Sequence, residues 1–253
     1  MRDERTRADG RSDDALRPVH IELRPLRHAE ASVLYRCGNT TVLCVATIED
    51  TVRDFLRGTG RGWLTAEYAM HPCASGRRQA RDGRRGPIDG RVQEIQRLVG
   101  RSLRAALRLD ALGERTITVD CDVLDADGGT RTASITGGFV AVALLLDGLR
   151  KGGLVDARVI REPVAAVSAG WVGGRARLDL CYEEDADAEV DLNVVGTQSG
   201  ALVEVQGTAE GAPVDRDRFE RLVELGLRGV AELVELQRRV LEQAGVRLAP
   251  PLR

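Results

Sequence analysis

Three segments hold residues whose types and spacing can do chemistry. The first, residues 71–108, carries ten arginines against three acids, a net charge of +7. Arginine presents a planar fork of donors that fits phosphate oxygens, and a loop lets several forks converge on one flexible anion. Within the loop, Arg77, Arg78, Arg81, Arg84 and Arg85 have only Asp82 and Asp89 close in sequence to pair with. An anionic polymer is the natural partner, and the lack of aromatics there puts the contacts on a sugar-phosphate chain rather than on bases. For Arg97, Arg101, Arg104 and Arg108, further along, a solvated helix face with salt bridges is an equally good reading. The second segment is Asp127-Gly128-Gly129-Thr130-Arg131-Thr132. Paired glycines let amides face one point, a following helix start adds free N–H donors, and Thr130 and Arg131 add a hydroxyl and a charged fork. That construction suits a small oxyanion, although a plain turn with Thr130 as N-cap is the commoner use of such residues. The third segment, residues 179–191, has seven acids and no base. Crowded carboxylates either lie solvated or hold a hard cation. Asp185 and Asp191 straddle an expected turn between two strands, and Asp191 opens an apolar strand where a carboxylate needs a partner.

The elements that must position these groups are legible from pattern. IELRPL, SVLYRCG and TTVLCVATIE (within 18–49) are strand-like, as is TITVDCDVL at 116–124. Helical spacing of apolar residues runs from about 91 to 110, with Gly113 suited to its end, and again over about 132–149. Gly137 and Gly138 lie inside that second helix and imply a close backbone approach or tight helix–sheet packing. Four strand candidates follow: VAAVSAGWV, ARLDLCYEE, AEVDLNVVG and ALVEVQG. An amphipathic C-terminal helix, part of a closing unit at 215–245, has Asp215 as its N-cap. Residues 1–17 are polar and read as a loose segment, and 71–90 have loop composition. Runs of strands and helices without strict alternation give an α+β fold, and the absence of a linker makes residues 1–253 one domain.

Composition narrows the function classes. The chain has 253 residues and a net charge of −2, which hides +6 over residues 1–115 and −8 over 116–253. The sum excludes a uniformly basic nucleic-acid coat, and the asymmetry points to an anionic partner. No apolar run approaches the roughly 20 residues of a membrane span, so no membrane partner is expected. Five cysteines without C-x-x-C spacing argue against a disulfide framework or a Cys-type zinc site and for a reducing cytoplasm. His20, His28 and His71 are scattered, which leaves a Ser/His or Cys/His hydrolase without support.

Seven stretches together resemble the ribonuclease PH family: RADGR (7–11), GWLTAEYAM (62–70), GRVQEIQRLVGRSLRAAL (90–107), LGERTITVDCDVLDADGGTRTASITG (112–137), AAVSAGWV (165–172), EEDADAEVDLNVV (183–195) and EVQGTAEG (204–211). They run in family order to about residue 211. The resemblance implies a phosphate-dependent 3′→5′ exoribonuclease that trims tRNA precursors and releases nucleoside diphosphates, reversible as nucleotide addition. It implies a two-layer βα fold related to a ribosomal small-subunit protein domain, with chains assembled into a ring, usually a hexamer built as a trimer of dimers. It implies that phosphate lies against Gly129, Thr130, Arg131 and Arg91, that Asp185 and Asp191 hold Mg²⁺ and support catalysis, and that the arginine loop guides RNA. Two departures stand out. His71-Pro72-Cys73 replaces a usual Leu-Pro-Arg, and Asp89-Gly90-Arg91 replaces Gly-Gly-Arg, placing an acid where it could weaken anion binding or pair with an arginine. The rival classes are an inactive ring scaffold, which would not need Asp185, Asp191, Arg91 and Arg131, and a hydrolytic nuclease, which would not need the oxyanion cradle.

Overall fold

The computed structural model describes residues 7–81 and 89–248. Nine strands form two sheets. The first contains β1 (Val19–Leu23), β2 (Ala31–Cys37), β3 (Thr40–Glu49), β4 (Trp63–Met70) and β5 (Thr116–Asp125), in the order β1-β2-β3-β5-β4. All neighbours are antiparallel except β4 and β5, which run parallel across the helical crossover α1 (Gly90–Ala105). The second sheet is β7-β6-β8-β9, made of β6 (Val164–Val172), β7 (Arg175–Leu178), β8 (Val190–Thr197) and β9 (Leu202–Ala209), all antiparallel.

The helix α2 (Thr130–Lys151) joins the two halves, packing on β2, β3 and β5 and also on β6. It has the length and apolarity of a membrane span, unlike anything the apolar-run reading expects, but the protein core buries it from Thr132 to Asp147. Its two glycines answer the packing question. A Cβ on Gly137 would lie 2.9 Å from the Cys44 Sγ and Tyr35 Cβ, and one on Gly138 would crowd Leu103 and Val119. Polar ties fix its register on the second sheet. The Thr136 hydroxyl donates to the Ala166 carbonyl (3.1 Å) and accepts from the Ala166 amide (3.0 Å). Gln237, fully buried on α4 (Arg216–Gln243), donates to the carbonyls of Thr136 and Val164. Asp215 caps α4 by accepting from the Arg218 amide, as expected.

Four features depart from the sequence reading. β4 forms over Trp63–Met70, where the strand pattern is not evident from composition. α1 stops at Ala105, because Leu107 pairs with Ile160; Gly113, at φ +69°, turns the chain into β5 rather than ending the helix. The strand expected over ARLDLCYEE ends at Leu178. Asp179 takes φ +54°, which breaks the strand path, and α3 (Tyr182–Ala186) follows. Residues 7–17 are not loose, since Arg7 and Arg17 are buried at 3% and 5% exposure.

Candidate active site

The oxyanion segment is built as a glycine turn between β5 and α2. Gly128 and Gly129 both hold left-handed backbone, φ +75° and +66°. A Cβ on Gly128 would meet the Leu180 carbonyl at 2.7 Å and the Tyr182 amide at 2.9 Å, so only glycine lets this turn lie against the acidic segment. Thr40 locks the turn, its hydroxyl donating to the Gly128 carbonyl (2.7 Å) and accepting from the Asp127 amide (3.0 Å). Gly129, not Thr130, is the N-cap of α2, and no side chain caps it. The amides of the first turn therefore have no intrahelical acceptor and carry the positive end of the helix dipole. The plain-turn reading with Thr130 as cap is thereby corrected. The Thr130 hydroxyl pairs instead with the Tyr68 phenol at 2.8 Å.

Two arginines flank this turn. Arg131 is half-buried; its Nη1 donates to Gln206 Oε1 (3.2 Å) and lies 3.4 Å from Glu94 Oε2. Gln206 in turn donates to Glu94 (2.9 Å), so one edge of the Arg131 fork is anchored by β9 and α1. Arg91 is exposed on the first turn of α1. Asp89 pairs with no guanidinium among the described residues. It is the N-cap of α1, accepting from the Arg91 amide at 2.7 Å.

The acids Asp185 and Asp191 sit on α3 and β8, not across a strand-to-strand turn. Asp185 has an exposed face and Asp191 is half-buried. Desolvation by the surrounding protein raises the pKa of both, and the charge of Asp185 raises Asp191 further; Arg131 pulls both down, and Arg91 also pulls down Asp185. Arg91, Arg131, Asp185 and Asp191 therefore lie close enough for their charges to act on one another, where the Gly128 turn meets the acidic segment. Two carboxylates that repel each other and have no ion-pair partner among the described residues are a fit for a hard cation. Among the described residues no group of three ligating side chains forms, so water and substrate oxygens would complete an Mg²⁺ shell.

The rest of the acidic segment is not one solvated face. Glu184 takes a two-pronged contact from Arg7 (2.8 and 2.6 Å) and a third bond from Arg177 (3.2 Å). Asp179 is gripped by Arg17 through its amide, Nε and Nη2 (2.7, 3.0 and 2.7 Å). Arg17 also donates to the Asp127 carbonyl at 2.6 Å, which ties the acidic segment to the glycine turn. Burial alone would raise both carboxyl pKa values, but Arg7 holds Glu184, and Arg17 holds Asp179, below the ordinary range. Reading sequence alone misses these arginines, as it misses Tyr68, Glu94 and Gln206. The one available signal was the segment's seven acids without a base, which had to find cations from far along the chain.

Of the loop arginines, Arg77, Arg78 and Arg81 are exposed, and no ion pair engages them among the described residues. Arg84 and Arg85 lie outside the described residues. The loop's root sits beside the cleft, since the Ala126 amide donates to the Ala74 carbonyl (2.9 Å) and the His71 amide to the Val123 carbonyl (2.8 Å). His71, in the departing His-Pro-Cys, accepts from the Cys73 amide through Nδ1. Arg101 and Arg104 follow the structural alternative: Arg101 pairs with Glu204 (2.9 Å), and Arg104 stacks over Trp63 and donates to the Leu64 carbonyl.

Comparison with known proteins adds three findings. The 3′ exoribonuclease family, domain 1, matches residues 15–145, and its domain 2 matches residues 162–229. The chain is 53% identical over 236 residues to Ribonuclease PH of Solibacter usitatus, covering 93% of this chain and 99% of that one. It is 52% identical over 239 residues to Ribonuclease PH of Rhodococcus erythropolis, covering 94% and 92%. Among solved structures it shares the fold of rice (Oryza sativa) Rrp46, at TM-score 0.76 and 19% identity, covering 93% of this chain and 100% of that one. It also shares the fold of an Archaeoglobus fulgidus exosome with RNA bound to the active site, at TM-score 0.75 and 24% identity, covering 91% and 92%.

Proposed function

This chain belongs to the 3′ exoribonuclease family and is a phosphate-dependent 3′→5′ exoribonuclease, a tRNA nucleotidyltransferase, and from that premise we propose that the cleft between α1, α2, α3 and β8 is its active site. In phosphorolysis an oxygen of inorganic phosphate forms a bond to the phosphorus of the last phosphodiester. The bond from that phosphorus to the preceding 3′-oxygen breaks, that oxygen takes a proton, and a nucleoside diphosphate leaves. The obstacle is electrostatic, since one anion must approach another. Arg91, Arg131 and the first-turn amides around Gly129 and Thr130 neutralise and aim the phosphate. Asp185 and Asp191 would hold Mg²⁺, which when bound offsets charge on the scissile phosphate and the leaving oxygen. No side-chain nucleophile is needed. The observation that carries this reading is the convergence, at a helix start, of two arginines and two carboxylates without an ion-pair partner among the described residues.

The exposed Arg77, Arg78 and Arg81, with Arg84 and Arg85 in the same loop, would receive the backbone of tRNA precursors. The resemblance supports a hexameric ring, and the free cysteines, three of them buried, support a reducing, cytoplasmic setting. The test is to incubate RNA and Mg²⁺ with and without phosphate. Nucleoside diphosphates appearing only with phosphate are the expected product. Monophosphates would turn the reading toward hydrolysis, and a monomer by sizing would remove the ring.

A further inference from the structure

We propose that Tyr68 is a positioning residue of the phosphate cradle, setting the Thr130 hydroxyl so that one O–H of the pair faces the incoming anion. This rests on reading Gly129–Arg131 as the phosphate site. The first turn of α2 and the turn after it carry three hydroxyls besides that of Thr136. Thr132 spends its proton on the Gly129 carbonyl (2.9 Å) and Ser134 on the Thr130 carbonyl (2.8 Å). Thr130 is the exception: its oxygen is bonded not to helix backbone but to the Tyr68 phenol, 2.8 Å away on β4. A threonine hydroxyl is a free rotor unless a neighbour fixes it.

Two hydroxyls hold two protons, and the bond between them uses one. The other remains for an acceptor, whichever oxygen donates. The structure gives neither oxygen a second partner among the described residues. Tyr68 is 4% exposed and stands opposite Cys121 in the β4–β5 register, so the sheet holds its ring in place. Burial raises its pKa, more than the Thr130 bond and the nearby Arg91 and Arg131 lower it, so the phenol keeps its proton. Phenylalanine would fill the same volume. A purely packing role would therefore be indifferent to the oxygen.

The experiment compares Tyr68→Phe, Thr130→Val and the double variant by phosphorolysis kinetics, with RNA affinity and Tm measured alongside. Tyr68→Phe should raise KM for phosphate about tenfold, the scale of one hydrogen bond to a charged group, with RNA affinity and Tm unchanged. In the Thr130→Val background Tyr68→Phe should add nothing, while in Thr130→Ser its effect should return. An unchanged KM for phosphate in Tyr68→Phe, or an equal effect with and without the Thr130 hydroxyl, would overturn the proposal. Arg131→Ala separates the two levels. If it raises KM for phosphate and Tyr68→Phe does not, only the role of Tyr68 falls; if Arg131→Ala does not raise it either, the cradle itself is misplaced.

Discussion

Glu184 and Asp185 are neighbours on one short helix and have opposite surroundings. Glu184 is buried against Arg7 and Arg177, and its pKa is held down. Asp185 faces the cleft with no salt-bridge partner among the described residues, and its pKa is pushed up. The same division separates Asp179 from Asp191. Asp179 and Glu184 are neutralised and hold the backbone still, whereas Asp185 and Asp191, beside the proposed phosphate site, have no ion-pair partner among the described residues. Satisfied charges build the frame, and unsatisfied ones are available for binding and chemistry.

The contrast predicts that stability and activity separate across a single peptide bond. The largest effect should come from Asp191→Asn or Asp185→Asn, which should cut turnover at least about a thousandfold. RNA should still bind, and Tm should hold or rise, because each substitution removes a charge that the fold disfavours; near-normal turnover would end their catalytic assignment. Next is the frame: Arg7→Ala leaves the buried Glu184 carboxylate with Arg177 as its main partner and should cost up to about 3–5 kcal/mol of stability, seen as an earlier denaturant midpoint. A midpoint like that of the parent would mean the buried pair does not anchor α3. Third, Arg131→Ala should raise KM for phosphate about 10–100-fold, by loss of charged hydrogen bonds, with a smaller change in RNA affinity. An equal loss of both would show that Arg131 positions RNA or the fold instead.

The smallest effect is in pH dependence, and the two groups should move in opposite directions. Glu184 and Asp179 have lowered pKa values in the folded state. Their stabilisation is full above the unfolded carboxyl values and is lost only as pH falls through the lower, folded ones. Asp185 and Asp191 have raised values in the metal-free protein, so at sub-saturating Mg²⁺ the acid limb of activity should lie above the ordinary aspartate range, and the enzyme should lose turnover before it unfolds. Arg91→Ala removes a charge that lowers Asp185 and should move that limb further toward neutral pH. A limb that coincides with acid unfolding would erase the distinction.

Local pattern made much of this legible. β3 and β6 stand where TTVLCVATIE and VAAVSAGWV place them, because alternation and β-branching are properties of the segment itself. Gly129, Thr130, Arg131, Asp185 and Asp191 were legible as candidates from residue type, their roles only through the family resemblance, and the fold sets the glycine turn against the acidic segment. What escaped was whatever depends on a distant partner. ARLDLCYEE has strand composition throughout, yet Arg17, 162 residues before Asp179, grips its carboxylate where the strand gives way to α3. Residues 7–17 look like a solvated tail because their charges meet their counterions only in three dimensions. Tyr68 and Gln206 sit in strands as ordinary sheet residues, and only the folding of β4 and β9 beside α2 makes them part of the site.

The Arg7–Glu184 contact also sets a schedule. The two residues are 177 positions apart. At roughly 5–20 residues per second of synthesis, Arg7 waits on the order of 10–35 s for its partner to be made. Until then the glycine turn lacks the segment it packs against, and Arg91 and Arg131 lack Asp185 beside them. A nascent chain therefore carries an arginine-rich, anion-seeking surface well before it carries the acids that would let it cut. On the proposed assignment, the chain would be able to hold RNA before Asp185 and Asp191 give it the means to shorten it.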